Sequence, residues 1–182
     1  MLYAFGFERI GVVASDLYFV DPDPIPGQEG AERGVRLEVR VLRPGDLPGG
    51  IYASRPIVVD RPVWRADLLE SVAGPAGSLD RAHHHPGFEG WEPGERVFDD
   101  ALSAAPLDWV AGRLADLGTL LAEANVPPSG AGPHDAADLR NALPDIMAAV
   151  RKLLDGVAKG ELARPPAGRE GEPLTDARVS WL

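Results

Sequence analysis

Cysteine is absent from this 182-residue chain. Disulfides, thiolate metal sites and cysteine nucleophiles are therefore excluded, and nothing marks an oxidising compartment. Lysine is nearly absent too: Lys152 and Lys159 stand against sixteen arginines. With 21 glycines and 18 prolines, this is the usage of a GC-rich genome. Lone Arg, Gly and Pro residues therefore carry little information. Long apolar runs are missing. No stretch approaches about 18 uninterrupted apolar residues, so no membrane-spanning helix is expected. The N-terminal MLYAFGFERIGVVA is apolar but lacks a basic flank, and Glu8 and Arg9 interrupt it; a signal peptide is not expected, and the cytoplasm is the default location. Positive charge is in the minority, with 18 Lys and Arg against 28 Asp and Glu and a net charge of −10. Such a surface repels phosphate backbones and anionic bilayers, which argues against nucleic acid or membrane as a partner.

Catalytic signatures are missing as well. There is no Gly-x-Ser-x-Gly elbow around Ser15, Ser54, Ser71 or Ser103. The glycine-rich GPAGS and GAGP match neither a P-loop nor a dinucleotide fingerprint and read as turns. Asp99 and Asp100 precede a helical pattern and read as capping residues.

The apolar patterning that is present divides the chain in two. In VRLEVRVL, Val35, Leu37, Val39 and Val41 share one side and Arg36, Glu38 and Arg40 the other, the period of a strand in a sheet with one wet face. Tyr3, Phe5 and Phe7 alternate, and IGVVA and LYFV continue the β character. RPGDLPGG makes a turn, and Ile51 to Trp64 is the return strand, which Pro56 and Pro62 place at an edge or break into pieces. RADLLESVAG, Arg65 to Gly74, is expected as a short helix. Beyond residue 99 the period becomes helical. Leu107, Val110, Leu114, Leu117 and Leu121 predict one helix over 106–124, with Pro106 in its first turn and Ser103 as its cap. Leu139, Leu143, Ile146, Val150, Leu153 and Val157 predict a second over 136–158. It is capped by Asp135, runs through Pro144 with a kink, and is closed by Gly160. The expected fold is one α+β domain: an antiparallel sheet from residues 1–98, covered by an antiparallel pair of helices from 99–160, with an extended tail over 161–182 that ends in a last strand, ARVSWL.

One stretch concentrates chemistry. RAHHHPGFEGWEPGE, Arg81 to Glu95, holds three of the four histidines. Neutral imidazole is a ligand for divalent transition metals. On an extended segment His83 and His85 point the same way and His84 the opposite way, so the best pair is His83 with His85. The third ligand is sought among Asp80, Glu89, Glu92, Glu95 and His134, with Glu89 taken as the choice. A His-x-His pair with a carboxylate resembles the ligand sets of cupins and metal-dependent hydrolases, but neither a later Gly-rich segment with a spaced His nor a His-Glu-x-x-His run accompanies it. Two other readings stand beside the metal: a polar loop exposed at the rim of the sheet and stacking on Phe88 and Trp91, and a pocket for an anion or small molecule lined by Arg61, Arg65, Arg81 and Trp91. Interleaved carboxylates favour ordinary ion pairs for those arginines. The expected function is a non-enzymatic binding module for a protein or small-molecule partner, self-association as a homodimer included. The alternative is a small metal-dependent enzyme built on His83, His85 and a carboxylate.

Overall fold

The computed structural model describes residues 1–168; the tail strand expected at ARVSWL lies outside them. Five strands, β1 (Leu2–Gly6), β2 (Ile10–Val20), β3 (Ala31–Pro44), β4 (Ile57–Ser71) and β5 (His83–His85), pair in chain order, each antiparallel to the next. A small hairpin, β6 (Phe88–Glu89) with β7 (Glu92–Pro93), follows. Helices α1 (Asp100–Ala104), α2 (Pro106–Ala115), α3 (Leu117–Glu123) and α4 (Asp135–Ala158) complete the α+β architecture. None is long and apolar enough to cross a membrane.

Period-two alternation decides what each sheet face meets. Ile10, Val12 and Ala14 of β2, Val35, Leu37 and Val39 of β3, and Trp64, Ala66 and Leu68 of β4 join Leu102, Val110, Leu114, Leu117, Leu120, Leu139, Ile146, Val150 and Leu153 of the helices in a single apolar core. The expected platform and cover are present in these coarse terms. Gly34 shows how closely β3 and β4 approach: a Cβ there would run into the Leu68 carbonyl. The start of α4 is tied to the β1–β2 turn by Asp135. Its buried carboxylate accepts from the backbone N–H groups of Glu8 (2.7 Å), Arg9 (3.3 Å) and Gly132 (2.6 Å).

Five local expectations are corrected. Asp135 does not cap α4: it is the first residue of the helix, His134 holds the cap position, and no side chain caps that end. RADLLESVAG is not a helix but the continuation of β4, because pairing with β3 through Arg36↔Asp67 and Leu37↔Ala66 outweighs the helical propensity of its leucines. The return strand begins at Ile57, after Pro56, and not at Ile51; Pro62 stands in it opposite Arg40 at an irregularity in the β3–β4 register, outside the Arg65–Asp67 stretch that β5 flanks. The helix over 106–124 is two helices. Asp116 leaves helical geometry (φ −109°, ψ 64°) and its carboxylate accepts from Thr119 N at 3.2 Å, starting α3 anew while Leu114 and Leu117 both stay buried. Ser103 lies inside α1, whose cap is Asp99, accepting from Ala101 N at 2.7 Å. Pro106 at the start of α2, the unbroken run of α4 through Pro144 and the positive φ of Gly160 agree with expectation.

Candidate metal centre

The second face of the sheet is polar, but it is not wet. Arg36, Glu38 and Arg40 were expected to meet solvent; Glu38 is instead buried, and the two arginines are mostly covered. Alternation in a sequence reports polarity, and only the tertiary structure decides whether a polar face is solvated or paired. Here it is paired. The Arg36 guanidinium grips Asp67 with Nε donating to Oδ1 at 2.8 Å and Nη2 donating to Oδ2 at 3.0 Å. Glu38 accepts from Arg65 Nε on one oxygen and from Arg40 Nη1 on the other, each at 2.8 Å. Charges this deep are tolerated because each carboxylate oxygen accepts from a guanidinium at 2.8–3.0 Å.

The histidines belong to this face. They are not an exposed connecting loop but strand β5, buried throughout. β5 pairs with β4 as Arg65↔His85, Ala66↔His84 and Asp67↔His83. On its other side His84 forms a bridge with Val97, N–H to carbonyl in both directions at 3.0 and 2.9 Å. The pairing satisfies a backbone that a loop would have left open. The alternation places His84 on the helix face, with its ring 4.8 Å from Trp109 and 6.4 Å from Trp64. His83 and His85 fall on the polar face beside Asp67.

There the three side chains converge. Asp67, His83 and His85 are 1%, 3% and 5% exposed, and each offers a ligand atom within 4.8 Å of the other two. The tautomers follow from the hydrogen bonds. His83 Nδ1 lies 2.8 Å from the Arg81 carbonyl and His85 Nδ1 lies 2.8 Å from the Gly94 carbonyl. A carbonyl only accepts, so both Nδ1 atoms carry a proton, and Nε2 is the atom that presents the lone pair when the ring is neutral. Those Nε2 atoms stand 3.5 Å (His83) and 3.8 Å (His85) from a single oxygen, Asp67 Oδ2. Burial pushes His85 down to about 4, against the pull of Asp67, so it is neutral near pH 7. Burial opposes the charge on Asp67, yet the Arg36 guanidinium holds its carboxyl well below the ordinary carboxylate range. Two imidazoles and one carboxylate, each held by a further hydrogen bond, are donor types that transition-metal sites use. A tetrahedral ion with bonds of about 2.0–2.1 Å holds its donors about 3.4 Å apart. The two Oδ2–Nε2 separations, 3.5 and 3.8 Å, are close to that edge.

The other residues singled out from the sequence are distributed differently. Glu89 is exposed on β6, outside the converging group. Arg65 borders the group: its guanidinium pairs with Glu38 and lies 5.0 Å above the Phe88 ring. Arg81 donates to the Gly27 carbonyl at 2.6 Å, and Arg61 follows Asp60 in β4. Trp91 is exposed and lies under Arg40 at 5.4 Å, not against the histidines. On the polar face Phe98 lies 5.5 Å from His83 and Phe88 6.5 Å from His85. Asp67 escaped sequence reasoning because Arg65 to Gly74 was read as helical. The signal was present in Trp64, Ala66 and Leu68 alternating with Arg65 and Asp67. Nearby, Glu32 is a buried carboxyl on β3 whose Oε2 finds no hydrogen-bond partner among the described residues, and burial raises its pKa. No family model, curated protein or solved structure matches this chain.

Proposed function

We propose that this chain is a metal-binding protein holding one divalent transition-metal ion on Asp67 Oδ2, His83 Nε2 and His85 Nε2. The observation that carries the reading is the pair of Nδ1–H···O=C bonds, which aims both Nε2 lone pairs at one oxygen of a buried carboxylate. Zinc and ferrous iron suit this donor set. The depth of the three side chains supports a binding role over turnover, since a substrate needs a path to the ion. Asp67, and not Glu89, is the third ligand in this reading.

The test is elemental analysis of untagged protein, followed by equilibrium dialysis against zinc. One ion per chain is expected, lost in the His83→Ala/His85→Ala double variant and in Asp67→Asn but retained in Glu89→Gln. Protein that emerges metal-free and takes up no zinc at micromolar concentration sinks the reading.

A second reading, self-association, is favoured by the β3–β4 hairpin, which carries Ile51 and Tyr52 at 86% and 96% exposure, with Ile57 also exposed. Apolar side chains grouped this way mark interaction surfaces. Light scattering after size exclusion is expected to give a dimer that Ile51→Ser/Tyr52→Ser dissociates; a wild-type monomer excludes it.

A further inference from the structure

We infer that Arg36 sets the metal affinity of this site: its guanidinium is a resident counter-cation of Asp67, which an incoming ion must displace from Oδ2. The inference rests on the metal reading above and names the competitor built into that site.

Asp67 has two oxygens and both are engaged. Oδ1 accepts from Arg36 Nε at 2.8 Å, and Oδ2 accepts from Arg36 Nη2 at 3.0 Å. Oδ2 is also the oxygen that faces His83 Nε2 and His85 Nε2. One atom therefore serves the guanidinium fork and the metal position. An ion bonded to Oδ2 at about 2.1 Å would stand about 4–5 Å from the guanidinium. Two cations at that distance repel strongly where burial removes the screening of water. Arg36 and Asp67 are opposite each other in the β3–β4 register, so the strands themselves keep the guanidinium in place. The Nε–Oδ1 bond can persist while Nη2 turns away, which leaves Oδ2 to the metal. Arg36 thus neutralises Asp67 in the metal-free protein and weakens binding when metal arrives. Charge balance predicts the converse: with Arg36 gone, a dication becomes the natural partner of the buried carboxylate.

The test measures Zn²⁺ affinity by competition with a chromophoric chelator for wild type and Arg36→Met. The expected result is binding at least tenfold tighter in Arg36→Met. Equal or weaker binding by a folded variant overturns the inference while leaving the metal reading intact. Failure of both proteins to bind zinc removes the metal reading and this inference with it. If Arg36→Met folds only when zinc is present, the ion has replaced the guanidinium, as expected. If it folds in neither condition, wild-type protein decides. The Arg36 Nε–Hε NMR resonance, assigned by its loss in Arg36→Lys, is expected to shift on zinc saturation, and an unmoved resonance overturns the inference.

Discussion

Acidification in the absence of metal is expected to weaken the fold well before the carboxylates begin to titrate, and His85 is the main reason. Its imidazole is buried between β4, β6 and the Gly94 carbonyl and is held neutral, with a pKa near 4 against 6.5 for the free side chain. In the unfolded chain it takes up a proton once the pH falls below about 6.5. The folded chain resists until about 4, so between these values the unfolded state binds more protons and stability falls with pH. The contribution is therefore fully present above pH 6.5, declines through the window and is lost below 4. A separation of about 2.5 pH units, at about 1.4 kcal/mol each, amounts to about 3 kcal/mol. His84, also lowered by burial, acts in the same direction. Glu32 acts oppositely: its raised pKa lets the folded state take a proton first, which softens the decline at the acid end. Asp67, held low, titrates below the window and contributes only there. Urea titrations at pH 7.5, 6.5, 5.5 and 4.5 in a chelator measure the effect. With an m-value of about 2 kcal/mol/M for a chain of this size, the midpoint should fall by about 1.5 M. His85→Asn, whose amide can still donate to the Gly94 carbonyl, should flatten most of the slope. A wild-type midpoint that stays constant from pH 6.5 to 4.5, or a slope unchanged in His85→Asn, would refute the reasoning.

Other perturbations have definite expected outcomes. Arg36→Met in metal-free protein leaves Asp67 charged and buried without its fork and should cost about 3–5 kcal/mol, whereas Arg36→Met/Asp67→Leu should recover most of that loss in the same urea assay. Gly34→Ala drives a methyl into the Leu68 carbonyl and should lower stability by about 2 kcal/mol or more, read as a drop in thermal midpoint. Asp135→Ala strips three backbone N–H groups of their common acceptor and should cost about 3 kcal/mol, with amide exchange at Glu8, Arg9 and Gly132 accelerating first.

Much of the architecture was legible in period alone. Val35, Leu37 and Val39 alternate cleanly, and the Leu139 to Val157 row holds its phase for about five turns, so β3 and α4 could be drawn from the residues. The errors share a physical origin: local preference was trusted where tertiary contacts decide. Leu68 and Leu69 favour a helix locally, yet β3 offers them a ladder. Asp116 looks like any surface residue on a helical wheel, yet its carboxylate competes for backbone N–H and restarts the helix. The histidine stretch was half legible. That His83 and His85 share a face follows from extended geometry, but three histidines ahead of a Pro-Gly pair carry no mark of burial. Their partner stands sixteen residues upstream of His83, and only the strand register brings it alongside. The charged face was hidden for the same reason: Arg36 and Glu38 read as solvated because their partners, Asp67 and Arg65, lie on a different strand.

The brevity of β5 has a consequence for entry. Three residues hold the histidines in the sheet, with a single bridge to Val97 on their outer side. So short a rung can open at a fraction of the free energy of global unfolding, although opening it also draws the His84 ring away from Trp64 and Trp109. Because β5 carries two of the three converging side chains, releasing it would take His83 and His85 away from Asp67 together, so the site would be exposed and dismantled in one step.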